Sequence, residues 1–206
     1  MERAELTELL RLGFVFHGHK CPAMPLGLRA GVAAMRALGV ERAKDKELHV
    51  ISETGKGHAG ACFLDGVMVA TGCTYGKGNV EKLYYNKLAF TLVDVSRQTG
   101  VRASIVPHFV EQMLRSPFVK LRRQGVAPQD ISDDVVEPLI ERILSLPEEE
   151  FLRIAPISQA QVVRGAGVFD AAPCDCCGEM VFVDKLKDTA KGRLCLGCAE
   201  GGKEGA

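Results

Sequence analysis

Apolar side chains along this chain change rhythm several times, and each rhythm predicts an element. Leu6, Leu9, Leu10 and Phe14 fall near the spacing of one helical face and predict a short helix over residues 4–12. After Pro22 and Pro25, the run Leu26 to Leu38 predicts a second helix closed by Gly39, a residue favoured just past helix ends. Leu48–Ile51 is a short candidate strand leading into a glycine-rich turn, Thr54–Gly60. Cys62–Thr71 sets Phe63, Leu64, Val67 and Met68 on one helical stripe. Residues 88–95 and 101–106 read as paired strands joined around Gly100. Helices are expected over 109–114, 118–123 and 135–146, divided by Pro117, Pro128 and Pro147. A short helix over 148–154 and a last strand over 157–164 complete the pattern. Strands and helices mixed in this order predict an α+β or α/β core.

Around residues 165–173 the composition shifts to small side chains, and the remaining stretch is rich in cysteine and too short for an apolar core of its own. This divides the chain into a core domain, 1–167, and a cysteine-rich domain, 168–206. Hydrophobic content of 47% is ample for a core. Lys+Arg 26 against Asp+Glu 26 cancels, so bulk charge draws the chain to neither nucleic acid nor an anionic membrane. No apolar run approaches the roughly 18 residues of a membrane span. The first residues lack the basic-then-apolar order of a signal peptide, which leads us to expect a cytoplasmic protein. There, eight cysteines read as thiols or metal ligands and not as a disulfide framework.

The densest chemistry lies in F-H-G-H-K-C-P, Phe16 to Pro22. Pro22 biases Cys21 toward an extended backbone, in which His17, His19 and Cys21 would share a face. Two histidines so spaced, roughly 6.6 Å apart along a strand, can converge on one ion. Three ligands on a straight strand would spread over roughly 13 Å, too far for one tetrahedral ion. Either the backbone curls at Gly18, or Cys21 has a separate role. Cys62 is expected to open a helix, where unpaired backbone N–H groups favour a thiolate, and Asp65 lies one turn on, able to hold a neighbouring ligand. Cys73 lies roughly 16 Å further along that helix and should not share Cys62's ion. Residues 71–79, T-G-C-T-Y-G-K-G-N, have the composition of an anion-cradling loop but not the order of a P-loop, and a tight turn explains them equally. His58 is expected on the surface with some reach toward the site, and His49 and His108 are expected to be structural.

Cys174-x-x-Cys177, seventeen residues, then Cys195-x-x-Cys198 has the spacing of a four-thiolate zinc site. Residues 180–193 have room for a hairpin, and Leu196–Glu200 for a short terminal helix. Cys176 and Asp175 offer alternative ligands in the first pair. Five basic and seven acidic residues between Asp170 and Ala206 argue against phosphate contact, so nucleic acid is not expected as a partner.

Taken together, F-H-G-H-K-C-P with Gly27, then Cys62-x-x-Asp65, then T-G-C-T-Y-G-K-G-N resemble the E-subunit family of formylmethanofuran dehydrogenase. The C-terminal cysteine pairs resemble the zinc finger that some members append. The resemblance implies a thioredoxin-like α+β core with a mixed sheet flanked by helices, a treble-clef finger and a homodimer. It also implies a site where the histidine–cysteine motif meets Cys62, able to hold zinc, and an association with a molybdenum or tungsten oxidoreductase. Met68 stands where the resemblance implies an amide-bearing Gln, and the loop before Cys62 is longer and carries His58. On this reading His17, His19 and Cys62 hold a second zinc or other transition metal with an open position. Cys21 is a further ligand or a thiolate nucleophile, and Asp65 assists it. Lys77 and Asn79 are expected to contact a cofactor such as a molybdopterin. The competing expectation is a regulator or adaptor whose finger binds another protein.

Overall fold

The first helix, α1 (Arg3–His17), runs past residue 12 and takes in Phe16 and His17. It stops at Gly18, whose φ of 89° lies in the left-handed region that glycine enters without penalty. The Gly18 N–H closes onto the Phe14 carbonyl at 2.9 Å. The extended His-x-His-x-Cys segment expected from the sequence is therefore replaced by a helix end and a turn. Pro22 then leads into α2 (Ala23–Leu38), which ends on Gly39 with a φ of 67°.

This computed structural model describes residues 3–162, 165 and 167–201, with no side chain described at Arg3, Ala4 or His58. It divides into two compact units, Met1–Val163 and Arg164–Ala206. In the first unit, α2 packs against α3 (His58–Thr71) more closely than side chains would allow. A Cβ on Gly27 would stand 1.8 Å from the Phe63 carbonyl oxygen, and one on Gly66 would stand 2.0 Å from that of Met24. Gly31 meets Val67 and Ala70 one turn on. Contacts thus advance together along both helices, which run in the same direction with their N-termini side by side.

The sheet has five strands: β1 (Leu48–Ser52), β2 (Val80–Lys82), β3 (Ala89–Asp94), β4 (Thr99–Ile105) and β5 (Leu152–Ile157). Their order is β2-β1-β3-β4-β5, with β1 and β2 parallel and the other neighbours antiparallel, so the sheet is mixed and the core is α+β. Pairing of Val50 with Leu92 and of Leu92 with Val101 stacks apolar residues on one face, and Phe63 and Val67 of α3 lie in the same buried cluster. Three residues of β2 carry too little pattern to read in advance. The helix expected over 148–154 shortens to α7 (Glu148–Phe151), and the strand begins at Leu152. Leu152 is buried against the core, and alternation takes over from there. Pro156 is tolerated because β5 is an edge strand. Of the strand expected over 157–164, Val163 and Arg164 lie outside the described residues.

Three helices, α4 (Pro107–Leu114), α5 (Pro117–Arg123) and α6 (Asp133–Ser145), follow β4. Ser116 caps α5 by accepting the Val119 N–H at 3.3 Å. Phe118, Val136 and Ile140 form a second apolar cluster with Met24 and Leu28 of α2, and Leu6, Leu9, Leu10 and Phe14 of α1 pack onto it.

The second unit holds two small hairpins, β6 (Ala171–Pro173) with β7 (Met180–Phe182) and β8 (Leu186–Thr189) with β9 (Gly192–Cys195). A single helical turn, α8 (Leu196–Ala199), comes after them. The hairpin expected over 180–193 thus belongs partly to each pair.

Candidate metal centre

His17 ends α1, His19 follows the Gly18 turn, Cys21 precedes α2 and Cys62 lies early in α3. One ligand atom from each of these four falls within 4.8 Å of the others. The turn at Gly18 brings the two imidazoles face to flank, with centroids 4.1 Å apart and planes at 45°. His17 Nε2 is 3.1 Å from His19 Nε2 and 3.5 Å from Cys21 Sγ. A tetrahedral zinc with ordinary bond lengths needs edges of about 3.3 Å between nitrogens and about 3.6 Å between nitrogen and sulfur. The donor set therefore fits such an ion with little movement.

Asp65 completes the arrangement. His17 Nδ1 donates to its Oδ2 at 2.7 Å, which leaves the Nε2 lone pair facing the other donors. A carboxylate behind a ligating imidazole fixes its tautomer and raises its basicity. Asp65 is one turn beyond Cys62, so a single helix supplies both a ligand and the group that orients another.

Without an ion, the same groups polarise one another. The bond to Asp65, and after it the contact with Cys21, lifts the His17 pKa to about 9. The Cys21 thiol is held well below its ordinary value, first by the bond from Cys62, then by His17 and the Met24 backbone N–H. Cys62 is pushed up by the Cys21 thiolate it donates to and by burial. Burial lowers His19. Both sulfurs are shielded, with Cys21 2% and Cys62 7% exposed, and both lie at helix N-termini that favour negative charge.

Cys21, which the sequence left between ligand and nucleophile, thus joins His17, His19 and Cys62, and the group has four donors instead of three. Lys77 and Asn79 have other tasks, and this corrects the expectation that they contact a cofactor. Asn79, 1% exposed, donates from Nδ2 to the Asp45 and Leu48 carbonyls and accepts the Thr74 N–H. Its amide is spent holding the loop to the start of β1. Lys77 Nζ reaches the Ala43 and Lys44 carbonyls at 3.3 and 3.4 Å. Cys73 is fully buried in the sheet-side core, and burial lifts its pKa to about 11. Met68 lies in that core too.

In the second unit, ligand atoms of Cys174, Cys177, Cys195 and Cys198 also lie within 4.8 Å of one another. The Cys195 N–H donates to Cys174 Sγ at 3.3 Å, and the Cys198 N–H to Cys195 Sγ at 3.4 Å. Backbone N–H groups of Cys177, Cys195 and Cys176 hold Cys174 at about 6, favouring the thiolate a metal needs. Cys176 is exposed and stands outside the group, and Asp175 is occupied in accepting the Arg193 N–H at 2.6 Å.

An α+β core with a mixed histidine–cysteine group, joined to a unit with four convergent cysteines, defines a protein equipped to bind metal at two places. Residues 16–153 match the sequence profile of FmdE, described as the molybdenum formylmethanofuran dehydrogenase operon family. The chain belongs to the FmdE family. Across 95% of its length it superposes on 92% of an FmdE-like protein of tungsten formylmethanofuran dehydrogenase from Syntrophus aciditrophicus. That superposition has a TM-score of 0.58 at 20% identity and marks a shared fold. A curated relative, a probable S-adenosyl-L-methionine-binding protein of Archaeoglobus fulgidus, is 32% identical over 208 residues, 96% of this chain and 54% of that protein. The chain thus spans about half the length of that relative. Among the described residues no helix is long and apolar enough to cross a membrane.

Proposed function

We propose that the core unit is a transition-metal centre, with zinc held by His17, His19, Cys21 and Cys62 and oriented through Asp65. The observation that carries this reading is the convergence of four nitrogen and sulfur donors within 4.8 Å, backed by a carboxylate on His17. Mixed imidazole and thiolate donors suit zinc better than the oxygen-seeking magnesium or calcium. Such an ion would supply Lewis acidity and a stabilised thiolate. The residues around it orient His17, shield both sulfurs from water, and place the positive ends of two helices beside the thiolates. The finger holds a second, structural zinc through Cys174, Cys177, Cys195 and Cys198, in a treble-clef arrangement of knuckle, hairpin and helical turn.

The protein works, on this proposal, as a homodimeric accessory to a molybdenum or tungsten oxidoreductase, as the family's operon description suggests. Exposed Leu12, Val15 and Phe16 on α1 give it apolar surface beside His17 that a partner would cover.

Metal stoichiometry on anaerobically purified protein tests the central claim. About two zinc per chain are expected, falling to about one in His19→Ala or Cys62→Ser and to about one, with the core loaded, in Cys195→Ser. A wild type that never exceeds one zinc under reducing, metal-replete conditions would sink the core reading. Retention of two in both core variants would sink it equally.

A further inference from the structure

Beside the core donors lies a cavity of about 260 Å³ that the metal reading leaves without a task. Its floor includes His19, Cys21 and Cys62, and its opposite wall is apolar, led by Met113, Leu114 and Phe118. Pockets for drug-sized ligands run to roughly 300–1,000 Å³, so the occupant here is smaller and its body is hydrocarbon.

The charge around this cavity has one sign. Arg122 and Arg123 line it, and among the described residues no carboxylate does. Neither guanidinium belongs to an ion pair among the described residues, although Lys20, Arg29, Arg36 and Arg102 all find carboxylates. Arg122 is fixed in direction by donating from Nη1 to the Val126 carbonyl, which leaves the rest of its fork available. The cavity also reaches the first turns of α2 and α3, at Ala23 and Ala59. These helices have sixteen and fourteen residues, and neither has a side-chain cap at its N-terminus. Their uncapped N–H groups and parallel dipoles add to the positive potential.

We propose that this cavity binds a small organic carboxylate with an aliphatic or aryl body. Its carboxylate pairs with Arg122 and Arg123, its body packs on Phe118 and its neighbours, and its far end reaches the Cys21–Cys62 floor. A planar guanidinium fork matches a carboxylate. A phosphate dianion finds too few donors here, since one of the two forks already serves a backbone carbonyl. This deepens the metal-centre reading by naming the substrate class of the same site, but the anion preference itself rests on the arginines.

Calorimetric titration of the full chain with hexanoate, hexanamide and pentylphosphonate tests it, with zinc content measured on each sample. Hexanoate should bind at least tenfold tighter than hexanamide. Arg122→Met/Arg123→Met should abolish that preference and leave hexanamide affinity within twofold. Should the double variant fail to fold, exposed Arg123→Met alone should cut the preference at least threefold, and an unchanged ratio would count against the assignment. Equal affinity for acid and amide, no binding of either at millimolar concentration, or a phosphonate tighter than hexanoate would overturn it. A zinc-free core that still prefers hexanoate supports the cavity and counts against the metal reading. A zinc-loaded core without the preference does the reverse.

Discussion

At the residue scale, Gly18 decides what the histidines can do. Only a left-handed residue there ends α1 at His17 and turns His19 back beside it. The sequence made His17, His19 and Cys62 legible as donors because imidazoles at alternate positions are poor core fillers. It could not place Cys21, because that depended on a helix boundary five residues beyond the last clear apolar repeat, from residue 12 to His17. Asp65 acts through His17, and its loss should weaken the core and spare the finger. Asp65→Asn should lower core zinc affinity about 10–100-fold, as removal of such supporting carboxylates commonly does. Competition against a chromophoric chelator would read this, and an unchanged core affinity would show that His17 needs no support.

At the element scale, the contact between α2 and α3 is made by glycine. Gly27→Ala must push the Phe63 carbonyl away from a Cβ at 1.8 Å, and the rigid backbone cannot yield cheaply. The cost should reach or exceed the top of the roughly 1–3 kcal/mol range for overpacked cores. Urea denaturation should show this together with loss of the core zinc. The sheet has its own polar fastening: Arg102 on β4 grips Glu53, at the end of β1, through two bonds of 2.6 and 2.9 Å. This pair holds the Glu53 carboxyl below its ordinary value of 4.5. Its stabilisation is therefore full above the unfolded value and is lost as pH falls through the lower folded one. Glu53→Gln should cost about 1–3 kcal/mol near neutrality, and the gap from wild type should close in acid. A gap that persisted at pH 3 would point to packing instead of charge. Long helices with a repeating apolar face were readable in advance, whereas β2, with three residues, and the helix-to-strand switch at Leu152 were set by tertiary pairing.

At the scale of the whole molecule, two units carry two candidate metal groups of different chemistry. The finger's cysteines were fully legible, because two Cys-x-x-Cys knuckles specify their geometry locally. The core site draws on three helices and a turn, so only its parts could be read, and Arg122 gave no signal until α5 was seen against the cavity. The glycine seam between α2 and α3 also decides how anything enters that cavity. Carbonyl oxygens meet glycine backbone along that wall, with no side-chain layer to rearrange, so it has no second packing to adopt. The facing wall is carried by α4 and α5, helices of eight and seven residues broken at Ser116, and it must provide the motion. Hydrogen exchange should therefore be slowest in the middle of α2 and α3 and markedly faster across residues 107–123. Hexanoate should slow exchange in that faster segment alone. Equal protection of both walls would mean that the entrance lies elsewhere; the inequality would identify a doorway with one fixed jamb and one swinging panel.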